Sequence, residues 1–454
     1  MRVGPSRCWP ACWVPERPPM TETTEFDAVV VGAGPAGVAA AVELARAGHS
    51  VAVVERGPFP GSKNMYGGVV YGRILDTLIP RWWEEMPVQR WVTRRQTMLM
   101  TGHQALTIDY RTDTWGRPPY NGATAYRPDF DSWLADKAVQ QGATLLCSTT
   151  VTGLLVEGGR TVGVRTDRPD GDLRAGVVIA ADGVNSFLAK EAGLYGEVSA
   201  DNYTVGVKET IALPREVIDE RFAVRGDHGV DIEIIGCTGE VPGGGFLYTN
   251  ADTVAVGLVL SLPALAAGGS RPEELLAALK AHPAVAPLVE GGEVKEYSAH
   301  VIPEAGYDMM PELVGDGLLV AGDAAAMCLA AGVWLEGVNF AIGSGAAAGR
   351  AAHAALRSGD TTAAGLAGYR TRLESSFVLA DHRKLREAPH LVMGDLAQRQ
   401  LPGLACDVAE AVFQVTNPDP KPGLVRIARK QIARHGLKLP TVARETIRAL
   451  RAYG

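Results

Sequence analysis

The chemistry of this chain is concentrated in glycine turns and in acids that close apolar runs. Val29-Val30-Val31-Gly32-Ala33-Gly34-Pro35-Ala36-Gly37 is followed by an alanine-rich run and then by Val51-Ala52-Val53-Val54-Glu55. The spacing predicts a strand, a tight turn, a helix and a second strand ending in an acid. Gly32 permits the turn, Gly34 lets backbone approach a pyrophosphate, and Gly37 allows close helix-to-strand packing. Pro35 and Ala36 open the helix, whose unpaired N–H groups and positive dipole end suit phosphates. Glu55 is placed to accept hydrogen bonds from a ribose. These residues bind a dinucleotide and leave open which one.

Two further segments repeat the theme. Val177-Val178-Ile179-Ala180-Ala181-Asp182-Gly183 and Gly317-Leu318-Leu319-Val320-Ala321-Gly322-Asp323 are apolar strands that end in an acid. Open α/β sheets bind ligands at that end of their strands, and a buried carboxylate without a partner is costly. After the second comes Gly332 and then Gly337-Val338-Asn339, a turn into a helix of small residues whose N-terminus favours negative charge. Past Glu55 and Arg56 lies a loop, Gly61-Ser62-Lys63-Asn64-Met65-Tyr66-Gly67-Gly68, suited to sharp turns or a flat ligand. Arg127 precedes a helix in which Asp129 or Asp131 favours the positive end; Arg127 itself is a phosphate or ribityl contact or a surface charge. Trp82, Trp83 and Trp91 read as core in preference to a lipid- or quinone-facing patch.

The elements that must position these residues need a long chain. At 454 residues it suits two or three domains with ample apolar material to bury. A net charge of −7 argues against nucleic acid as a partner. The longest apolar region, Leu318 to Ala348, is interrupted by Asp323 and Glu336, unlike a membrane span. Cys147, Cys237, Cys328 and Cys406 are scattered, which fits a reducing cytoplasm and indicates no metal site. Cys8 and Cys12 fall in a proline-rich leader, residues 1–25, within which Met20 is a candidate start.

Together, the Gly32–Gly37 turn with Glu55, Asp182-Gly183 and Gly322-Asp323 resemble the three ordered signatures of the FAD-binding fold of aromatic hydroxylases, geranylgeranyl reductases and electron-transfer flavoprotein dehydrogenases. Further blocks are Gly61-Ser62-Lys63-Asn64 with Gly67-Gly68 and Tyr71, Val205 to Pro214, Gly243 to Asn250 and Ala299 to Tyr307. They are similar to the Fix-type subunits of the electron-transfer flavoprotein:quinone oxidoreductase family, from about residue 26 to 420.

The resemblance implies an FAD-dependent oxidoreductase with no catalytic side chain to assign. It implies that Glu55 holds the adenosine ribose, Asp323 the ribityl chain, Val151 the adenine, and Gly337 to Asn339 approach the isoalloxazine, with Arg56, Lys63, Gly67, Gly68, Arg127, Asp182 and Gly183 around them. The expected fold class is α/β: a Rossmann-like FAD domain of the glutathione reductase or aromatic hydroxylase type over 26–190 and 311–360, with substrate-side insertions. An antiparallel-sheet quinone or substrate domain spans 191–310, and a helical region spans 361–454. Electrons are expected to pass from electron-transfer flavoprotein subunits to a quinone within a Fix-type electron-bifurcating complex. The alternatives are a stand-alone prenyl reductase and, behind it, a flavin monooxygenase.

Two departures matter. Cys406 stands alone in the C-terminal region, so the iron–sulfur cluster of the mitochondrial type must come from a separate ferredoxin-like partner. Glu336 replaces a basic residue of the family; unless solvated, it disfavours the anionic reduced ring and lowers its potential. Lys208, Glu209 and His300 read as structural polar groups, with a quinone path as the alternative. After Asn417-Pro418-Asp419-Pro420 the chain turns basic: Lys421, Arg426, Arg429, Lys430, Arg434, Lys438, Arg444, Arg448 and Arg451 face Glu445. That segment suits an acidic partner or the cytoplasmic face of a membrane, or is a solvated helix face.

Overall fold

The computed structural model describes residues 24–64, 67–304, 306–332 and 334–454. Cys8, Cys12 and Met20 lie outside the described residues.

A mainly parallel sheet forms the first layer, in the order Val314–Gly315, Leu318–Val320, Leu173–Ala180, Thr24–Val31, Val51–Val54, Thr144–Leu146; the first strand is antiparallel to its neighbour, and Arg160–Thr166 pairs antiparallel with the start of Leu173–Ala180. The register aligns the strand ends: Val31 lies beside Ala180 and Val54, Ala180 beside Val320, and Val54 beside Leu146. Everything that follows those residues therefore emerges along one edge. The strands are apolar on both faces because both are covered. Helices Pro35–Arg46 and Val338–Ser358 lie on one face, and a hairpin of Val151–Glu157 with Arg160–Thr166 helps to cover the other.

The two helices touch backbone to backbone. A Cβ at Gly345 would lie 1.9 Å from the Ala36 carbonyl oxygen, so the small-residue run of the second helix is a packing requirement.

The second sheet runs Glu293–Pro303, Tyr203–Ala212, Thr253–Ser261, Gly243–Thr249, His228–Ile235, Arg90–Met100, Ala123–Ala125, Gly68–Val70, with Ala105–Arg111 paired to Arg90–Met100. It is antiparallel except where His228–Ile235 meets Arg90–Met100 in parallel. Strands from 68–125 thus complete a sheet that alternating patterns locate in 191–310. Arg90 clamps the junction. Fully buried, it donates to the carbonyls of Asn250 (2.6 Å), His228 (3.0 Å) and Ala251 (3.2 Å) and to Asp219 Oδ1 (2.6 Å). Trp82 is buried in the main core, with Trp83 and Trp91 packed against it. From Ala363 onward the described chain is helical, ending in Leu424–Arg434 and Leu439–Ala452.

Candidate functional site

At the aligned strand ends, the Gly32 turn is fixed by close contacts. Gly32 has φ +102°, and a Cβ there would lie 2.3 Å from the Ala181 carbonyl oxygen; one at Gly37 would lie 2.0 Å from the Gly32 oxygen. Gly34, in contrast, faces open space. Glu55 is anchored at the end of its strand. Its Oε2 accepts from Ala33 N (3.0 Å) and its Oε1 from Gly57 N (2.6 Å). The same carboxylate thus holds the turn and retains lone pairs for a hydroxyl donor. Pro35 and Ala36 begin the helix, and Ala36 packs against Gly322.

Asp182 and Asp323 stand along the same edge. Asp182 Oδ2 accepts from Leu188 N (3.2 Å), capping the short helix Phe187–Glu191. Its Oδ1 is buried without a hydrogen-bond partner among the described residues, and so is Asn339 Oδ1. Gly183 beside it faces open space. Orphaned buried acceptors call for an explanation. A ligand rich in hydroxyl and N–H donors, lying over exposed glycine backbone, supplies one. Burial raises both Asp182 and Asp323 above the usual carboxylate range; Leu188 N–H opposes this at Asp182, and His300 and Arg127 oppose it at Asp323.

Arg127 is held in place. Its Nε and Nη2 reach Asp131 Oδ1 and Oδ2, each over 2.9 Å, while Asn64 Nδ2 donates to Asp131 Oδ2 (3.0 Å). Asp131 therefore orients an arginine toward Asp323, and Asp129 is the acid in the helix's first turn. Ser344 holds the Gly322–Asp323 turn, accepting from Gly322 N over 3.0 Å. Sequence reasoning passed over Ser344 and the Asp131 pairing, although Asp131 stands four residues after Arg127, the spacing of helical ion pairs.

Other residues are less central. Arg56 and Lys63 are exposed, and Val151 is half-buried at the start of its hairpin. Gly332 lies near Val392 and Tyr453. Lys208 and Glu209, adjacent in a strand, face opposite ways. Lys208 lines a cavity, while Glu209 pairs with Lys280 (2.5 Å). His300 sits near Asp323, Arg127 and Arg56, and burial lowers its pKa.

The cavity, about 250 Å³, lies on one face of the second sheet and is closed by Cys328, Leu329, Leu335 and Glu336. Gly67, Gly68 and Gly337 border it, and Val338 and Asn339 follow at the helix start. Glu336 faces it, accepts from Asn339 Nδ2 over 2.5 Å, and has its carboxyl raised by burial. It is not simply solvated.

A family model described as FAD dependent oxidoreductase matches residues 27–213. "Protein FixC" of Escherichia coli (strain K12) is 42% identical over 416 residues, 91% of this chain and 95% of that protein. From the same strain, the "probable electron transfer flavoprotein-quinone oxidoreductase YdiS" is 38% identical with the same coverage. A solved structure of a geranylgeranyl bacteriochlorophyll reductase-like protein from Thermoplasma acidophilum aligns with a TM-score of 0.71 at 21% identity, over 94% of this chain and 100% of that one. At that identity the likeness is one of fold.

Proposed function

Because the chain belongs to the FixC family of FAD-dependent oxidoreductases, we propose that it takes electrons from an electron-transfer flavoprotein and delivers them to a quinone, as one subunit of a Fix-type electron-bifurcating complex. The observation that carries this reading is similarity along nearly the whole of both chains to FixC and to a quinone oxidoreductase. A cavity bordered by the flavin-side glycines supports it.

Bound FAD supplies the redox chemistry; the residues supply orientation and electrostatics. In this reading the Gly32–Gly37 turn holds the pyrophosphate and Glu55 the adenosine ribose. Val151 touches the adenine, and Asp323 with Arg127 meets the ribityl chain. Gly67, Gly68 and Gly337 to Asn339 flank the ring. A separate ferredoxin-like protein provides the iron–sulfur relay, since Cys406 has no neighbouring cysteine in the C-terminal region.

No helix among the described residues is long and apolar enough to cross a membrane. The basic helices Leu424–Arg434 and Leu439–Ala452 expose Leu424, Leu439 and Leu450. Their composition suits peripheral docking on the cytoplasmic face of an anionic membrane.

The test is to supply the purified FAD-loaded chain with reduced electron-transfer flavoprotein and a soluble quinone. Quinol formation is expected, with no turnover of NAD(P)H and oxygen. Reduction of an isolated prenyl substrate with no quinol formed would replace this reading with that of a prenyl reductase.

A further inference from the structure

The cavity wall carries more ionisable groups than electron transfer alone requires. Asp231 and Glu233 stand two residues apart on one strand and so share a face. The parallel register sets Arg95 beside Asp231. Its guanidinium Nε lies 3.6 Å from Asp231 Oδ2, and its Nη2 donates to Glu233 Oε1. The Tyr71 hydroxyl donates to Asp231 Oδ2 over 3.4 Å. Two carboxylates therefore share one guanidinium, and each of these two residues is only 6% exposed.

Leaving both ionised would bury a net negative charge against Phe246, Val259 and Leu335, which is costly. Holding a proton on the pair relieves that cost, and carboxyls so placed titrate as a unit. Burial raises both carboxyls and Arg95 opposes it at each; at Glu233 the Asp231 charge adds to the rise, as does Glu336 more weakly.

Three strands along the same sheet, in the cross-strand row of Glu233, stands Lys208, 1% exposed, donating to the Gly67 carbonyl (3.0 Å) and Tyr248 hydroxyl (3.4 Å). Burial pushes its ammonium down to about 7, with Glu296 opposing and Arg127 adding. Glu233 and Glu304 also line an adjoining cavity of about 100 Å³ that reaches exposed Asp201. That cavity offers a way in for protons.

Resting on the reading of this site as quinone-reducing, we propose that the cavity holds two proton stations, Asp231–Glu233 acting through Tyr71 and Lys208 three strands along the same sheet. Two electrons pass from reduced flavin to the quinone and convert both carbonyls to hydroxyls. Tyr71 gives one proton and recovers it from the carboxyl pair, and Lys208 gives the other. The pair, by way of Glu304, and Lys208 are both recharged from water, which also takes up the proton that the flavin loses on reoxidation. Tyr71 and Lys208 touch the substrate; Asp231, Glu233 and Arg95 act through Tyr71.

The experiment compares the FAD-loaded full chain with its Glu233→Gln and Tyr71→Phe variants, each supplied with reduced electron-transfer flavoprotein and a soluble quinone across a range of pH. In the variants, flavin content and flavin reduction should match wild type while quinol formation falls about 100-fold. Lys208, at about 7, still titrates in Glu233→Gln, so the variant should keep one alkaline step and lose the second, higher one that the carboxyl pair gives wild type. A second readout is the redox-induced infrared difference spectrum, in which a protonated-carboxyl band that moves in heavy water should disappear in Glu233→Gln. If Glu233→Gln loses its flavin, Tyr71→Phe carries the comparison, since the pair and Arg95 stay in place. Wild-type rates and pH profiles in the variants overturn the proton stations. A wild-type chain that accepts electrons but forms no quinol overturns the quinone reading itself.

Discussion

The end of the parallel sheet and the cavity wall of the second sheet are built on opposite principles. At the first, bare backbone faces the strand ends. Gly32, Gly34 and Gly37 are needed because nothing larger fits or because the chain must lie bare, and Glu55 braces the turn through the N–H groups of Ala33 and Gly57. At the second, side chains do the work, and strand pairing brings them together from distant positions: Tyr71, Arg95, Asp231 and Glu233. The first region should fail abruptly when its backbone is altered, and the second by degrees.

The largest effect is expected at Gly32→Val. A β-branched residue at φ +102°, with its Cβ 2.3 Å from a backbone oxygen, costs about 3 kcal/mol or more and displaces the strand end opposite. The purified variant should contain no FAD by flavin absorbance. Stoichiometric flavin in it would mean that the turn is softer than its contacts imply.

Next is Arg90→Met, which strips the second sheet of its clamp while leaving the first untouched. Three backbone carbonyls and Asp219 lose a buried donor, so about 3 kcal/mol should be lost in urea unfolding. FAD should still bind. If flavin is lost along with stability, the two regions are one cooperative unit and the contrast drawn between them is too sharp.

That contrast also explains what was legible in the sequence. The turn, its helix and the acid-ended strands could be read because their residues are close in sequence and have a periodic apolar setting; the register then aligned strand ends from Val31 to Val320. The second sheet was legible only in part. Alternation located Tyr203–Ala212 and Thr253–Ser261, but Arg90–Met100 carries Arg90, Arg94 and Arg95 and gives a weak apolar signal. Its place is set by contacts with His228–Ile235, more than a hundred residues away. The same distance hid the Arg95–Asp231–Glu233 group. Of Asp129 and Asp131, the two acids that the sequence offers to the helix's positive end, Asp129 stands in the first turn, and the carboxylate of Asp131 is occupied by Arg127 and Asn64.

A smaller effect should follow Glu55→Gln. The amide keeps one acceptor oxygen but loses the charge-assisted bonding to Ala33 and Gly57, worth about 1.4 kcal/mol. FAD should bind about tenfold more weakly in a reconstitution titration, with the fold intact. A loss as complete as that of Gly32→Val would show that the acid, more than the glycine, sets the turn.

The finest test lies at Glu336. Removing its charge with Glu336→Gln should raise the flavin midpoint potential by about 20 mV, equivalent to about 1 kcal/mol for a two-electron couple. The shift should depend on pH in a defined direction. Burial raises the Glu336 carboxyl, with the Asn339 hydrogen bond opposing, so the group is neutral in acid and gains its charge as pH rises through that raised value. Wild type and variant should therefore converge at low pH and separate at high pH, the wild type being harder to reduce. Potentials that coincide at every pH would mean that the Glu336 charge is not felt at the ring, leaving the raised carboxyls of Asp231 and Glu233 as the charges that shape the cavity.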